Sequence, residues 1–236
     1  MRKLSAFFNH IEKAKILDVG TGNGNFIKMI QSMTDEFEEI IGIDELDIAI
    51  ETSKKNFDDE RIKFIKMDAF DMDFEDGYFD VVCLSNSLHH LSNINGMLKE
   101  MARVLKPNGY LLVNEMKSDG LNARQKGHMK IHHFAAEIDR EVGATHNDTF
   151  TARGMLEILD KESELQIKDV WDLTYDRPEV NSQEEIDWLC STIDKVQQKI
   201  TDPSRQDYFK SKGEKIKKYI KRVGFDSQTQ VIVILK

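Results

Sequence analysis

Ile16-Leu17-Asp18-Val19-Gly20-Thr21-Gly22-Asn23-Gly24 sets the architecture expected of this chain. A run of buried-strand character ends in glycines at every second position, and Phe26 to Met33 then has helical spacing. Such glycines turn the backbone through positive φ and let it pass close to a ligand. The helix start behind them offers N–H groups without intrahelical partners. A strand–glycine–helix turn also occurs as a plain connection, so its surroundings carry the argument. Ile40-Ile41-Gly42-Ile43 is a second apolar strand ending on Asp44 and Glu45, about twenty residues downstream, where a carboxylate can bind ribose hydroxyls. Ile62 to Met67 is a third, ending on Asp68, Ala69 and Phe70. Acidic residues at three successive strand ends are more than solvated turns require.

Outward from this stretch, Ile48 to Phe57 reads as a helix, Phe79 to Leu84 as a fourth strand and Met97 to Leu105 as a helix stopped by Pro107-Asn108-Gly109. Tyr110 to Val113 is a fifth strand. Strands apolar throughout, alternating with helices, predict an α/β fold with a parallel sheet covered on both faces. The second half differs. Leu121 to Val142 is a long polar helix rich in histidine, and Thr149 to Lys161 a helix capped by Thr149 or Thr151. Gln166 to Thr174 alternates as a strand. Helices from Asn181-Ser182 to about Ile200 and from Pro203 to about Arg222 precede a closing strand, Val231 to Leu235. The expectation is one domain over 1–236, with a cofactor-binding core at 15–115 and helical cap segments at 117–146 and 181–222. Pro107, Pro178 and Pro203 are the only prolines.

Residues 16–24 resemble the first motif of the class I S-adenosylmethionine-dependent methyltransferases. Ile41-Gly42-Ile43-Asp44 resembles their second-strand acidic motif, and Asp68-Ala69 their adenine-binding position. Gly77-Tyr78-Phe79-Asp80-Val81-Val82, with Ser85 to Leu91, is similar to the fourth-strand motif. Arg103 to Gly109 is similar to the helix-to-fifth-strand motif, with Asn108 where glycine is common. The tone is that of the ubiquinone/menaquinone-biosynthesis-like group. The resemblance covers roughly 15–115 and leaves the second half, where substrate choice lies, uncovered. It implies a Rossmann-like seven-stranded sheet of order 3-2-1-4-5-7-6, the last strand antiparallel, with helices on both faces and a helical cap. It implies S-adenosyl-L-methionine held by Asp18, Gly20, Thr21, Gly22, Asn23, Gly24, Asp44, Glu45, Asp68, Ala69, Phe70, Ser85 and Asn86. Glycines two apart, with Asn25 where a G-x-G-x-x-G pattern would continue differently, favour this cofactor over a nicotinamide.

Methyl transfer from a sulfonium is an in-line displacement that needs positioning and dryness, with a base required only for an acceptor such as an alcohol or phenol. Candidates for proton handling are His89 and His90 after the fourth strand, Glu115 at the end of the fifth, and His133. Each histidine singly is expected to cap or pack, and Glu115 to face the methyl group or pair with Lys117. Four of the seven histidines fall at 128–146. His128 and His132 share a helix face, as do His133 and Glu137. That spacing suits a divalent metal held by His128, His132, His133 and His146, with His146 or Glu115 as the distant ligand. No fixed zinc signature is present, and the balance is against a metal and for at least one of these histidines lining a pocket.

Lysine and arginine total 33 against 42 acidic residues, a net charge of −9. This disfavours a nucleic-acid partner. The basic helix at 205–222 is read as amphipathic, packing on Ile186, Leu189, Ile193 and Val196. Trp171 and Trp188 are candidates for stacking on a substrate and are more simply core. Cys83 and Cys190 are expected to be reduced thiols in a cytoplasmic protein. No apolar run reaches the roughly 18 residues of a membrane span, and Met1 to Lys15 lacks a signal-peptide core. The expectation is methylation of a small-molecule acceptor by a monomer or homodimer. The competing classes are an RNA or protein methyltransferase and a non-catalytic S-adenosylmethionine-binding protein.

Overall fold

The computed structural model describes residues 1–174 and 181–236, so Pro178 lies outside the described residues. Strands β1 (Ala14–Val19), β2 (Phe37–Asp44), β3 (Ile62–Lys66), β4 (Phe79–Ser85), β5 (Leu105–Met116), β6 (Ile167–Leu173) and β7 (Gln230–Leu235) form one sheet. Its order is β3-β2-β1-β4-β5-β7-β6, as expected. The first five strands are parallel, and β7 runs antiparallel to both β5 and β6. The intervening helices are α1 (Arg2–Asn9), α2 (Asn25–Gln31), α3 (Asp47–Lys55), α4 (Ile94–Val104), α5 (Ala123–Glu141), α6 (Ala152–Glu162), α7 (Gln183–Gln197) and α8 (Pro203–Val223).

Alternation along the strands builds two cores. Leu17, Val19, Val82, Leu84 and Val113 face α4 and α6 through Met97, Met101, Met155 and Leu159. Ile16, Ile40, Val81 and Leu112 face α1 and α2 through Leu4, Phe8, Phe26 and Ile30. A third core joins α5, α7 and α8 around Phe134, Ile138, Ile193, Phe209, Ile216 and Ile220. The basic helix α8 thus packs on Ile186, Leu189, Ile193 and Val196, and additionally on α5. Capping chemistry sets the boundaries. The Thr151 and Ser182 side chains accept the N–H groups that open α6 and α7, and Asn122 with Gln125 forms a capping box on α5.

Three expectations are corrected. Pro107-Asn108-Gly109 does not separate helix from strand but bulges within β5. Pairing jumps from Phe79 opposite Leu105 to Val81 opposite Tyr110, and Asn108 takes φ 69°. Helix α1 adds an element that the sequence pattern does not announce, because only Leu4 and Phe8 of its eight residues are buried. Trp188 is not core but 64% exposed on α7, whereas Trp171 is half-buried and packs against the second core, with the Lys3 ammonium 5.6 Å from its ring centre.

Candidate active site

The ends of β1, β4 and β5 surround a cavity of about 350 Å³ lined by Asp18, Gly20 to Asn23, Asn25, Phe26, Met29, Ser85 to Ser87, Asn114 and Gln230. Its floor is Asp18, only 1% exposed. The Thr21 hydroxyl donates to Asp18 Oδ2 at 2.8 Å, while Oδ1 has no hydrogen-bond partner among the described residues. Burial lifts this carboxyl from its ordinary 3.8 to about 7, against the pull of the Thr21 bond and helped by repulsion from Asp44. Asn114 Oδ1 is a second buried acceptor without a donor, and its amide donates to Ser85 Oγ at 2.9 Å. Two bare acceptors on one cavity wall suit a ligand carrying N–H donors and positive charge. The loop above is held in the left-handed region, with φ 66° at Gly20 and 54° at Gly22. A Cβ on Gly20 would stand 2.8 Å from Ser87 Oγ, whereas one on Gly22 would meet nothing within 4 Å.

Along the same edge, Asp44 Oδ2 accepts the Gly22 N–H at 2.9 Å and Oδ1 the Leu46 N–H at 3.0 Å. The Asp68 Oδ1 accepts the Phe70 N–H at 2.8 Å. Asp44, Glu45, Asp68, Ala69 and Phe70 do not line the cavity itself but continue its edge over β2 and β3, with Phe70 43% exposed. Gly24 also leaves the lining. It caps α2 at φ 77°, and its Cα lies so near Phe57 that a Cβ would sit 2.6 Å from the ring. A different hollow, of about 400 Å³ beside Phe7, Tyr110 and Trp171, lies at the opposite end of β5.

On the other face of the sheet edge, His89 Nδ1 lies 2.9 Å from Glu115 Oε2, and both side chains are buried. The Met116 N–H donates to Glu115 Oε1 at 2.8 Å. Glu115 therefore pairs with a histidine, and Lys117 pairs instead with Asp172 at 2.6 Å. His90 is exposed, its ring 4.3 Å from that of His89 and 4.1 Å from that of His146. Burial, then repulsion from neighbouring histidines, lowers His132 to about 2.

The helix-spacing pairs are not what the fold brings together. His128 Nδ1 accepts the Gln228 N–H at 3.1 Å, and burial lowers it to about 4. His133 Nε2 meets the Thr149 hydroxyl at 2.8 Å and lines a separate hollow of about 570 Å³ between α5 and α8. Glu137 binds Tyr208 and Lys212 of α8 rather than His133. His132 and His146 instead converge with His89.

A family described as "Methyltransferase domain" matches residues 17–113, the stretch that carries the cavity and the strand-end aspartates. Over that stretch the chain is similar to this methyltransferase family. Among similar proteins, the sterol 24-C-methyltransferase of Candida albicans is 34% identical over 125 residues, 51% of this chain and 33% of its own length. The demethylmenaquinone methyltransferase of Staphylococcus aureus is 34% identical over 102 residues, 43% of this chain and 42% of its own. The chain spans less than half the length of either relative. Two solved structures share its fold. The YcgJ protein of Bacillus subtilis has a TM-score of 0.58 at 17% identity, covering 100% of this chain and 98% of that one. The cyclase SpnF has a TM-score of 0.60 at 18% identity, covering 99% of this chain and 80% of its own.

The cavity residues that sequence reasoning missed are Asn25, Phe26, Met29, Ser87, Asn114 and Gln230. Asn114 carried a usable signal: a polar residue closing the apolar run Leu111-Leu112-Val113 at a strand's carboxyl end. Gln230 carried none, since it reaches Asn86 across 144 positions of sequence.

Proposed function

We propose that the chain transfers the methyl group of S-adenosyl-L-methionine to a small-molecule acceptor in the cytoplasm. The observation that carries this reading is the cavity beneath the glycine loop, with the unpartnered oxygens of Asp18 and Asn114 on its wall. The cofactor, when bound, supplies a methyl group on a positively charged sulfur with a neutral leaving group. Asp18 and Asn114 accept from the ligand's ammonium group, and Gly20 and Gly22 let the backbone approach it. The Asp44 carboxylate, already fixed by the Gly22 and Leu46 N–H groups, receives ribose hydroxyls. Asp68, Ala69 and Phe70 take the base, with the exposed Phe70 ring as an apolar wall.

The displacement then needs an acceptor held in line and water kept out. The helices α5, α7 and α8 form the cap that we assign to acceptor choice. His90, the exposed imidazole beside this edge, is the side chain we place toward an acceptor proton. His89 and Glu115, buried beneath it, act as positioning residues. Support for a small acceptor comes from the net charge of −9 and from the relatives named above, both named as methyltransferases of small molecules. Two buried cysteines without a disulfide, and no helix among the described residues long and apolar enough to cross a membrane, agree with the compartment.

The test has two parts. Calorimetry with S-adenosylmethionine and its demethylated product reads the cofactor site. Methyl-labelled cofactor with a panel of phenols, quinols and sterols reads transfer. Binding without transfer to any acceptor would favour the non-catalytic alternative, and transfer to RNA or protein would replace the small acceptor. Failure to bind either form of the cofactor would overturn the whole reading.

A further inference from the structure

Three imidazoles from distant parts of the chain meet behind the loop that follows β4. One ring nitrogen from each of His89, His132 and His146 lies within 4.8 Å of those of the other two. His89 sits in the short 3-10 turn Leu88–His90, His132 on α5, and His146 in the segment between α5 and α6. Their orientation is imposed from outside the cluster. Glu115 Oε2 lies 2.9 Å from His89 Nδ1, and Asp139 Oδ2 lies 2.8 Å from His146 Nδ1. Each carboxylate favours the proton on Nδ1, which leaves Nε2 as the nitrogen with an available lone pair. His89 Nε2 is buried without a hydrogen-bond partner among the described residues, in a side chain 1% exposed. The third ring, His132, brings its Nε2 to 3.3 Å from that of His146. Two nitrogen ligands of a tetrahedral zinc ion, each about 2.05 Å from the metal, stand about 3.3 Å apart.

We propose that His89, His132 and His146 bind a divalent transition-metal ion of the zinc class, with Glu115 and Asp139 as outer carboxylates and water in the fourth position. Imidazole ligands suit zinc, cobalt or nickel and not magnesium or calcium, which want oxygen. A carboxylate on the far nitrogen of a ligating histidine fixes its tautomer and raises its basicity. Glu115 also supplies a negative charge toward the ion, while Asp139 shares its charge with Lys199 at 2.7 Å. The set differs from the pairs that helix spacing suggests, because His128 and His133 are committed to Gln228 and Thr149. The ion would fasten α5 and the 143–150 segment to the loop after β4. Glu115, its outer partner, is the neighbour of the cavity residue Asn114.

The proposal does not rest on methyl transfer, so its test reads metal directly. The purified chain is stripped by chelator, dialysed and titrated with Zn²⁺ against a chromophoric competitor, then with Co²⁺ in the visible range. One ion per chain is expected, with the intense visible bands of tetrahedral cobalt. Glu115→Gln is expected to weaken zinc binding roughly 10–100-fold, as loss of an outer partner does, and His132→Gln and His146→Gln by more. His128→Gln, on the same helix, is expected to leave it unchanged. Because His89→Gln risks misfolding at a buried position, the less buried His132 is the deciding substitution, with a thermal melt of the stripped variant as its folding control. No saturable binding, a stoichiometry unrelated to one per chain, or an equal effect of His128→Gln would overturn the site. Calorimetry of the cofactor on the same samples keeps failure here distinct from failure of the methyltransferase reading.

Discussion

Asp18→Asn should stabilise the empty protein and cripple its cofactor site at once. A carboxyl raised from 3.8 to about 7 is protonated in the fold, and ionised in the unfolded chain, across that window. The native state therefore binds more protons there, and stability falls as pH rises from about 4 to 7. At about 1.36 kcal/mol per unit, the burden reaches about 4 kcal/mol by pH 8. Asparagine is neutral throughout and still offers an oxygen to the Thr21 hydroxyl. That bond loses its charge assistance, worth about 1 kcal/mol. The net expectation is a gain of about 2–3 kcal/mol at pH 8 that vanishes at pH 4. The ligand sees the reverse. Losing a charged partner for its ammonium costs about 1.5–3 kcal/mol, roughly a ten- to hundredfold weaker affinity. Urea melts at pH 4 and 8 read the first effect, and calorimetry with the demethylated cofactor reads the second. A variant less stable at pH 8 with unchanged affinity would refute the reasoning, because Asp18 would then be a structural anchor for Thr21 and nothing more.

Gly22→Ala puts a Cβ into open space at φ 54°. The fold should lose about 1 kcal/mol from the left-handed backbone, while cofactor binding, measured by calorimetry, should fall by far more. Asp44→Ala should weaken cofactor affinity by about 1.5–3 kcal/mol, and an unchanged affinity would remove the ribose assignment. His133→Ala, which breaks the tie between the cap helix α5 and Thr149, should lower turnover several-fold and leave the cofactor dissociation constant alone; a change in both would make that tie structural rather than part of acceptor choice. Burial lowers His128 from 6.5 to about 4, so its contribution is full above pH 6.5 and is lost as pH falls through 4. His128→Gln should therefore flatten the decline of the melting temperature between those values, and an unaltered slope would place the acid sensitivity elsewhere.

The sheet was readable from sequence because parallel strands buried on both faces are apolar throughout, and β1, β2 and β4 announce themselves without any partner in view. The bulge in β5 was not. Pro107-Asn108-Gly109 carries the residues of a turn, and only the strand alongside reveals that pairing resumes at Tyr110. Helix α1 is hidden because its two core contacts, Leu4 and Phe8, are outnumbered by exposed neighbours. The proposed cofactor edge was suggested by glycines and strand-end carboxylates, whose chemistry is local. Its wall was less legible: Asn114 shows as a polar residue ending an apolar run, whereas Gln230 matters through Asn86, far away in sequence.

The histidines show most clearly why local spacing misleads. Helical periodicity ranks His128 with His132 and His133 with Glu137, because along one helix nothing else is visible. The fold ranks them by what stands opposite. The backbone of Gln228 claims His128, Thr149 claims His133, and α8 claims Glu137. His132 is left facing two rings whose outer nitrogens are already held by carboxylates. A shared helix face shows which side chains can meet. An outer carboxylate such as Glu115 or Asp139 shows which lone pairs are aimed, and it is the aimed set of His89, His132 and His146 that has a common focus.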